Sequence, residues 1–417
     1  MPEDRRYDRR EREEGFPSGS DRSGPDRSGS DRSGSDRSGP SPSGAERRRA
    51  PVEAHPLRVE DYPAGSRSDL LLPLSQTGLG TPVQVPFVVL RGAHPGPVLG
   101  LCAAVHGNEL NGINIIHQVL ARTDPALLHG SLVCAPVVNV LAFEAEQRRF
   151  PVDDVDLNHV FPGRADGAPS QQYARAFATT FLPALDYLID IHTASEGRLN
   201  SMYVRADLHS PAARDMAYLM NPEIILHGSS GDGTLRNAAR QLEVPAITVE
   251  AGNPSVFQGR MALEGELGVA NVMASLEMLR GGVSVETVRE PVICKSSSWL
   301  RTRSGGLLET HFRLCEQVKK RQLLAEIRDV FGHVRRAFHA PQDGIVIGKS
   351  QSPVSVPGMR YCHLGLLGEP PAPRQQPRQG RLTGRLKDIR SLSEAGAEIP
   401  GEDEVDGFGP GDEEGWA

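Results

Sequence analysis

The chain has 417 residues, a formal net charge of -7 and only 38% hydrophobic residues, fewer apolar side chains than a uniformly folded protein of this length carries. The deficit lies at the two ends. Between Ser391 and Ala417 nine acidic residues stand with no Lys or Arg, and the rest of the chain is nearly neutral. That excludes a global field aimed at nucleic acid or an anionic membrane surface.

From the start, residues 1–52 read as a disordered low-complexity tail, with four copies of Asp-Arg-Ser-Gly beginning at Asp21, Asp26, Asp31 and Asp36. So few apolar side chains cannot offset the entropy of ordering the backbone. No apolar run approaches the roughly 18–20 residues of a membrane span, and "MPEDRRYDRRERE" lacks the hydrophobic stretch of a signal peptide. The five cysteines are odd in number, far apart and without a CxxC pair, which fits reduced thiols in a cytoplasmic protein. No membrane and no nucleic acid partner is expected, and homo-oligomerisation is left open.

Residues 53–285 are expected to form a catalytic domain. "VQVPFVVL" (83–90) and "VLGLCAAV" (98–105) read as strands, and "ELNGINIIHQVLAR" (109–122) as a helix with Ile113, Ile116, Val119 and Leu120 on one face. "LVCAPVVN" (132–139) and "YLIDIHT" (187–193) follow as strands, with a helix near 170–182 between them. "EIILH" (223–227), the helical "GTLRNAARQL" (233–242), "AITVEAG" (246–252) and a helix near 262–280 complete the series. Near-continuous apolar strands interleaved with helices indicate an α/β fold whose mostly parallel sheet is covered on both faces. The long connection 140–169 has no such pattern, and its "EQRRFPVDDVDLNHVFPG" points to function. Residues 286–368 read as a smaller all-β domain of short strands, and 369–417 as a Pro-rich linker with a disordered acidic tail.

In an open parallel sheet, ligands gather beyond the carboxyl ends of the strands. His106 follows one expected strand, His192 ends another and Glu250 a third, with Glu109 beside His106. Two His and one Glu make a three-ligand zinc site with the fourth position left for water, so one Zn²⁺ per chain is expected. Gly107 lets the chain turn between strand and helix. Glu250 is then free for proton transfer, and Arg148 or Arg149 for steadying a developing oxyanion. Asn158, Arg198 and Arg205 are candidates to hold a substrate carboxylate, and Asp190 to orient His192. The remaining histidines, His209 among them, are taken as structural or exposed.

In order along the chain, "HGNELNG", "DLNHVFPG", "IDIHTASEG" and "TVEAGN" resemble the succinylglutamate desuccinylase/aspartoacylase family, relatives of the zinc carboxypeptidases, over about residues 65–365. The resemblance implies a carboxypeptidase-like fold, zinc held by His106, Glu109 and His192, and Glu250 as general acid/base. It places the family's carbonyl-polarising Arg on Arg148 or Arg149, with Arg148 preferred. Where the family reads Asp-Leu-Asn-Arg, with Asn and Arg gripping the substrate carboxylate, this chain has "DLNH", so His159 stands in the Arg position beside Asn158. A neutral imidazole cannot make the bidentate grip. The C-terminal region is similar to the hammerhead of biotinyl/lipoyl-type domains but has no Lys in the Met-Lys setting, which argues against a carrier role. The expected activity is zinc-dependent hydrolysis of the amide or ester bond of a small N-acyl amino acid-like metabolite. The competing expectations are a metallocarboxypeptidase acting on peptides and a catalytically idle binding scaffold.

Overall fold

The computed structural model describes residues 54–195, 197–228, 233–279 and 289–369. The tails expected at 1–52 and 369–417 lie outside these residues, Glu369 excepted. In chain order the elements are β1 (Ser66–Gln76), β2 (Pro82–Arg91), β3 (His94–Ala103), α1 (Asn111–Arg122), β4 (His129–Ala135), α2 (Val140–Glu144), α3 (Pro169–Phe181), β5 (Tyr187–His192), β6 (Arg198–Asn200), β7 (Met202–Ala206), α4 (Pro211–Leu219), β8 (Ile224–His227), α5 (Leu235–Gln241), β9 (Ala246–Ala251) and α6 (Gly259–Ser275). The C-terminal part adds β10 (Val292–Arg301), β11 (Gly306–Thr310), β12 (Gln317–Val318), β13 (Leu323–Arg328), β14 (Val334–His339), β15 (Gly344–Ser350), β16 (Val354–Ser355) and β17 (Arg360–Leu367).

Among the described residues a 13-stranded sheet runs in the order β1-β2-β4-β3-β5-β9-β7-β8-β10-β17-β15-β12, with β6 paired to β15. Its centre, β4-β3-β5-β9, is parallel. These strands are apolar throughout because both faces are covered. On β3, Leu99, Leu101 and Ala103 enter a core with α1, α4 and α6, while Cys102 joins the opposite core with α3 and α5. The alternation follows from the two-residue period of a strand. Each large side chain buried this way contributes about 1.5–3 kcal/mol.

Two features depart from a plain parallel sheet. β7 runs antiparallel to β9, and β8 and β10 then follow parallel to β7. The C-terminal strands β10, β17, β15 and β12 continue the same sheet past β8, and only β14-β13-β11-β16 form a separate sheet. Among the described residues no helix is long and apolar enough to cross a membrane.

Gly107 is required for a different reason than a sharp turn. Ala104, rather than Gly107, carries the positive φ, at 50°. At Gly107 an added Cβ would stand 2.0 Å from the Ala142 carbonyl carbon and 2.2 Å from its oxygen, so the glycine lets α2 press against the backbone between His106 and Glu109. Gly107→Ala should therefore destabilise by about 1–3 kcal/mol, as overpacking does. Gly78→Ala, with nothing within 4 Å of its added Cβ, should leave the denaturation midpoint in place. Equal midpoints for the two variants would refute the packing account.

Candidate active site

The edge at which β3, β5 and β9 end carries the site. Three residues beyond β3, His106 is buried, as are Glu109 just before α1 and His192 at the end of β5. Their ligand atoms lie within 4.8 Å of one another. His106 Nδ1 is 2.9 Å from Glu109 Oε1, His192 Nδ1 is 2.9 Å from Glu109 Oε2, and the two Nδ1 atoms are 3.2 Å apart.

The outer edge of each imidazole meets a carboxylate. His106 Nε2 lies 2.9 Å from Asp156 Oδ1 and His192 Nε2 lies 3.0 Å from Asp190 Oδ2. An ionised carboxylate only accepts, so each Nε2 carries its proton and each Nδ1 turns a lone pair inward. Two nitrogen lone pairs and a carboxylate crowded together, out of water, repel one another unless a cation stands between them. The donor set fits a divalent ion of the zinc type. Without one, protons take its place. Burial opposes charge on both imidazoles, but Glu109 and Asp156 around His106, and Asp190 and Glu109 around His192, outweigh burial and raise both pKa values.

The backbone holds this geometry with its own staples. Asn111, at the start of α1, donates to the Ala251 carbonyl (2.8 Å) and accepts from Gln258 N–H (2.8 Å), tying Glu109 to the end of β9. Asn139 caps α2 through the Ala142 N–H and donates to Val105 O, one residue before His106. Cys102 Sγ donates to Asp190 Oδ1 at 3.3 Å, fixing the carboxylate that orients His192.

Around the centre opens a cleft of about 540 Å³ that includes His106, Glu109, His192 and Glu250 in its lining. Glu250 is the register partner of His192 across β5 and β9 and is 14% exposed. The two candidate arginines separate. Arg148 lines the cleft, donating to Glu109 Oε1 (2.8 Å) and to Asp156 Oδ2 (2.9 Å). Arg149 turns outward to the Asp154 carbonyl, with 55% of its side chain exposed, so of the two arginines the structure brings only Arg148 to the cleft. Asn158 lines the cleft, with Oδ1 taken by the Leu235 N–H at the start of α5. His159 sits at the rim, 64% exposed, 3.9 Å from Asp156. Arg198 lies against the Trp299 ring, and Arg205 donates to Glu250 Oε1 (3.3 Å) and to the Tyr203 hydroxyl (2.7 Å).

Other residues of the site escape a reading of the sequence. Asp156 stands inside "DLNH" but shows its role only once the 140–169 loop folds back. Arg236 of α5 lines the cleft and donates to Gly228 O; burial first and Arg205 second pull its pKa down to about 10, so it stays charged at neutral pH. From the C-terminal strands come Ser297 and Trp299 of β10 and His363 of β17. His363 stacks on Trp299 with centroids 4.7 Å apart. Burial, then Arg205, Arg198 and Arg360, push its pKa down to about 3, leaving a neutral ring beside Ser297 Oγ. The "GTLRNAARQL" helix signal could have flagged Arg236; nothing local could have placed Trp299 or His363.

Residues 95–276 match the succinylglutamate desuccinylase/aspartoacylase catalytic domain. An N-alpha-acetyl-L-2,4-diaminobutyric acid deacetylase from Halomonas elongata is 24% identical over 289 residues, 66% of this chain and 83% of the relative. Among solved structures, the product-bound ectoine utilization protein EutE (DoeB) from Ruegeria pomeroyi is 23% identical, with a TM-score of 0.66 over 73% of this chain and 97% of its own. A succinylglutamate desuccinylase from a Silicibacter species is also 23% identical, with a TM-score of 0.65 over 74% and 97%. At these identities the likeness establishes a shared fold.

Since Asp156 and Asp190 hold the imidazoles from behind, Asp156→Asn and Asp190→Asn should each weaken metal affinity about 10–100-fold. Competition against a chromogenic chelator measures this, and unchanged affinity in both variants would remove the orienting role.

Proposed function

We propose that the protein is a zinc-dependent deacylase that hydrolyses the amide or ester bond of a small N-acyl amino acid-like metabolite. The observation that carries the reading is the convergence of His106 Nδ1, Glu109 and His192 Nδ1, with the Glu250 carboxylate on the neighbouring strand end. These three groups would hold one Zn²⁺, which supplies Lewis acidity and lets water ionise near pH 7 rather than about 15.7. Glu250 takes the proton of the attacking water and returns it to the departing amine, which then leaves as a neutral group. Arg148, its charge anchored by Glu109 and Asp156, donates to the carbonyl oxygen as negative charge grows there.

The charge of the cleft bears on the substrate. Arg198 and Arg236 line it without an ion pair to any described carboxylate, so a substrate's own carboxylate has guanidinium groups to meet, whatever His159 does at the rim. The C-terminal strands bring Trp299 and His363 into the cleft wall, which favours a compact substrate over the extended chain a peptidase needs. The described cysteines are all free, in keeping with a reducing, cytoplasmic setting.

Metal analysis with Glu250→Gln tests the central step. The variant should keep stoichiometric zinc while turnover of N-acyl amino acids falls at least about 10²–10⁴-fold, the usual contribution of a positioned acid/base; retained turnover would overturn the assignment. Arg148→Ala should lower kcat about 10²–10³-fold, as loss of an oxyanion donor does, while Arg149→Ala leaves it unchanged. The reverse order would place the wrong arginine at the carbonyl. A panel of N-acyl amino acids against short peptides separates the deacylase from a carboxypeptidase by which amine is released.

A further inference from the structure

β7 lies antiparallel along β9 with Tyr203 paired to Glu250 and Arg205 to Thr248. Residues two apart on a strand share a face, and directly paired side chains stand about 4.5–5.5 Å apart at Cβ. Tyr203 therefore faces the Glu250 carboxylate, and Arg205 reaches back to it along the same face. Arg205 Nε is 3.3 Å from Glu250 Oε1 and its terminal nitrogen donates to the Tyr203 hydroxyl at 2.7 Å. The guanidinium also lies against the Tyr203 ring, 5.3 Å from its centre. Arg205 thus bridges the Glu250 carboxylate and the hydroxyl of the tyrosine paired with it.

The tyrosine is held by apolar packing against the neighbouring strands. Tyr203 is 1% exposed, packed with Ile224, Leu226, Cys294, Ile345 and Ile347. The first two come from β8 and the others from strands C-terminal to it. A Glu side chain has three rotatable bonds, and a base must reach its proton within about 2.6–3.2 Å.

We propose that Tyr203 and Arg205 are positioning residues that lock the Glu250 carboxylate for proton transfer, so that Arg205 serves the base rather than the substrate. This rests on Glu250 being the acid/base. The Nε side of Arg205, one of the two edges that can grip a carboxylate bidentately, is committed to Glu250 and Tyr203. Removing the lock leaves the substrate bound as before and lets the carboxylate swing, and a misplacement of about 1 Å lowers rate on the order of 10²-fold.

The test compares Tyr203→Phe, Arg205→Ala and Arg205→Lys on the zinc-loaded enzyme, with Glu250→Gln as reference. Zinc content and thermal midpoint are followed to confirm folding. Arg205→Ala should lower kcat about 10–100-fold with KM within about two-fold. Tyr203→Phe should lower kcat less, and Arg205→Lys should recover part of the loss by restoring a donor to Glu250. In the Glu250→Gln background, calorimetric affinity for the N-acyl amino acid substrate should be the same with and without Arg205→Ala. Weaker binding by ten-fold or more in that background, or a raised KM with kcat intact, would assign Arg205 to the substrate and overturn the proposal. Full turnover in Glu250→Gln alone would instead sink the acid/base reading on which it rests.

Discussion

Two imidazole nitrogens and a carboxylate meet out of water at the ends of β3 and β5, and the surrounding structure is arranged to make that crowding tolerable. Buried charge is costly unless it is paired and hydrogen-bonded. Here the pairing extends outward in two directions. From His192 it runs to Asp190 and then to the Cys102 thiol. From His106 it runs to Asp156, and from there to Arg148, which also reaches Glu109. Donor and acceptor alternate along each branch, so both imidazoles keep their lone pairs aimed inward. Along the same branches each imidazole is held at a second point by a group that is itself held.

How much of this is legible in the sequence depends on whether the signal is local. β3, β5 and β9 are readable as apolar runs because they are buried on both faces, and the residues that end them are readable as a site because strand ends in such sheets converge. α1 is readable from its 3.6-residue period. β7 is not: "MYVRA" is short, carries a charge and runs opposite to β9 beside it. The choice between Arg148 and Arg149 is likewise hidden, because adjacent residues in a loop face opposite ways and only the folded turn decides which enters the cleft. Arg149 goes to Asp154 five residues on, a contact with no periodic signature. Gly107 illustrates a subtler case. Its presence between His106 and Glu109 is visible, but its reason is the approach of α2, some 35 residues away in sequence.

The C-terminal region shows the limit most clearly. Its strands can be read one by one from β-rich segments between Gly, Pro and Asp, yet β10, β15 and β17 extend the main sheet while β11, β13 and β14 pair apart from it. Pairing between strands more than 60 residues apart, as for Ser297 with Gly365, is set by the register of the whole sheet and leaves no local mark. The consequence reaches the cleft. Trp299 and His363 sit on these paired strands, so part of the cleft wall is built by C-terminal strands, while His106, Glu109 and His192 come from the centre of the sheet.

Strand direction ties these observations together. In the parallel centre, each strand delivers its last residues to the working edge. β7 reverses, so its beginning meets that edge and its end, at Ala206, leads away from it. Had β7 run parallel to β9, Tyr203 would stand at the far side of the sheet and the partner of Glu250 would be a residue near the end of the strand. The reversal brings a phenol and a guanidinium, two residues apart on one face, against the one carboxylate of the edge that neither Arg148 nor an imidazole holds. It also turns the following strands, β8 and β10, so that β10 passes beside the cleft with Ser297 and Trp299 on the way out. A single antiparallel pairing thus sets both the contacts of Glu250 and the course of the strands that line the cleft, so the two are carried by separate stretches of chain.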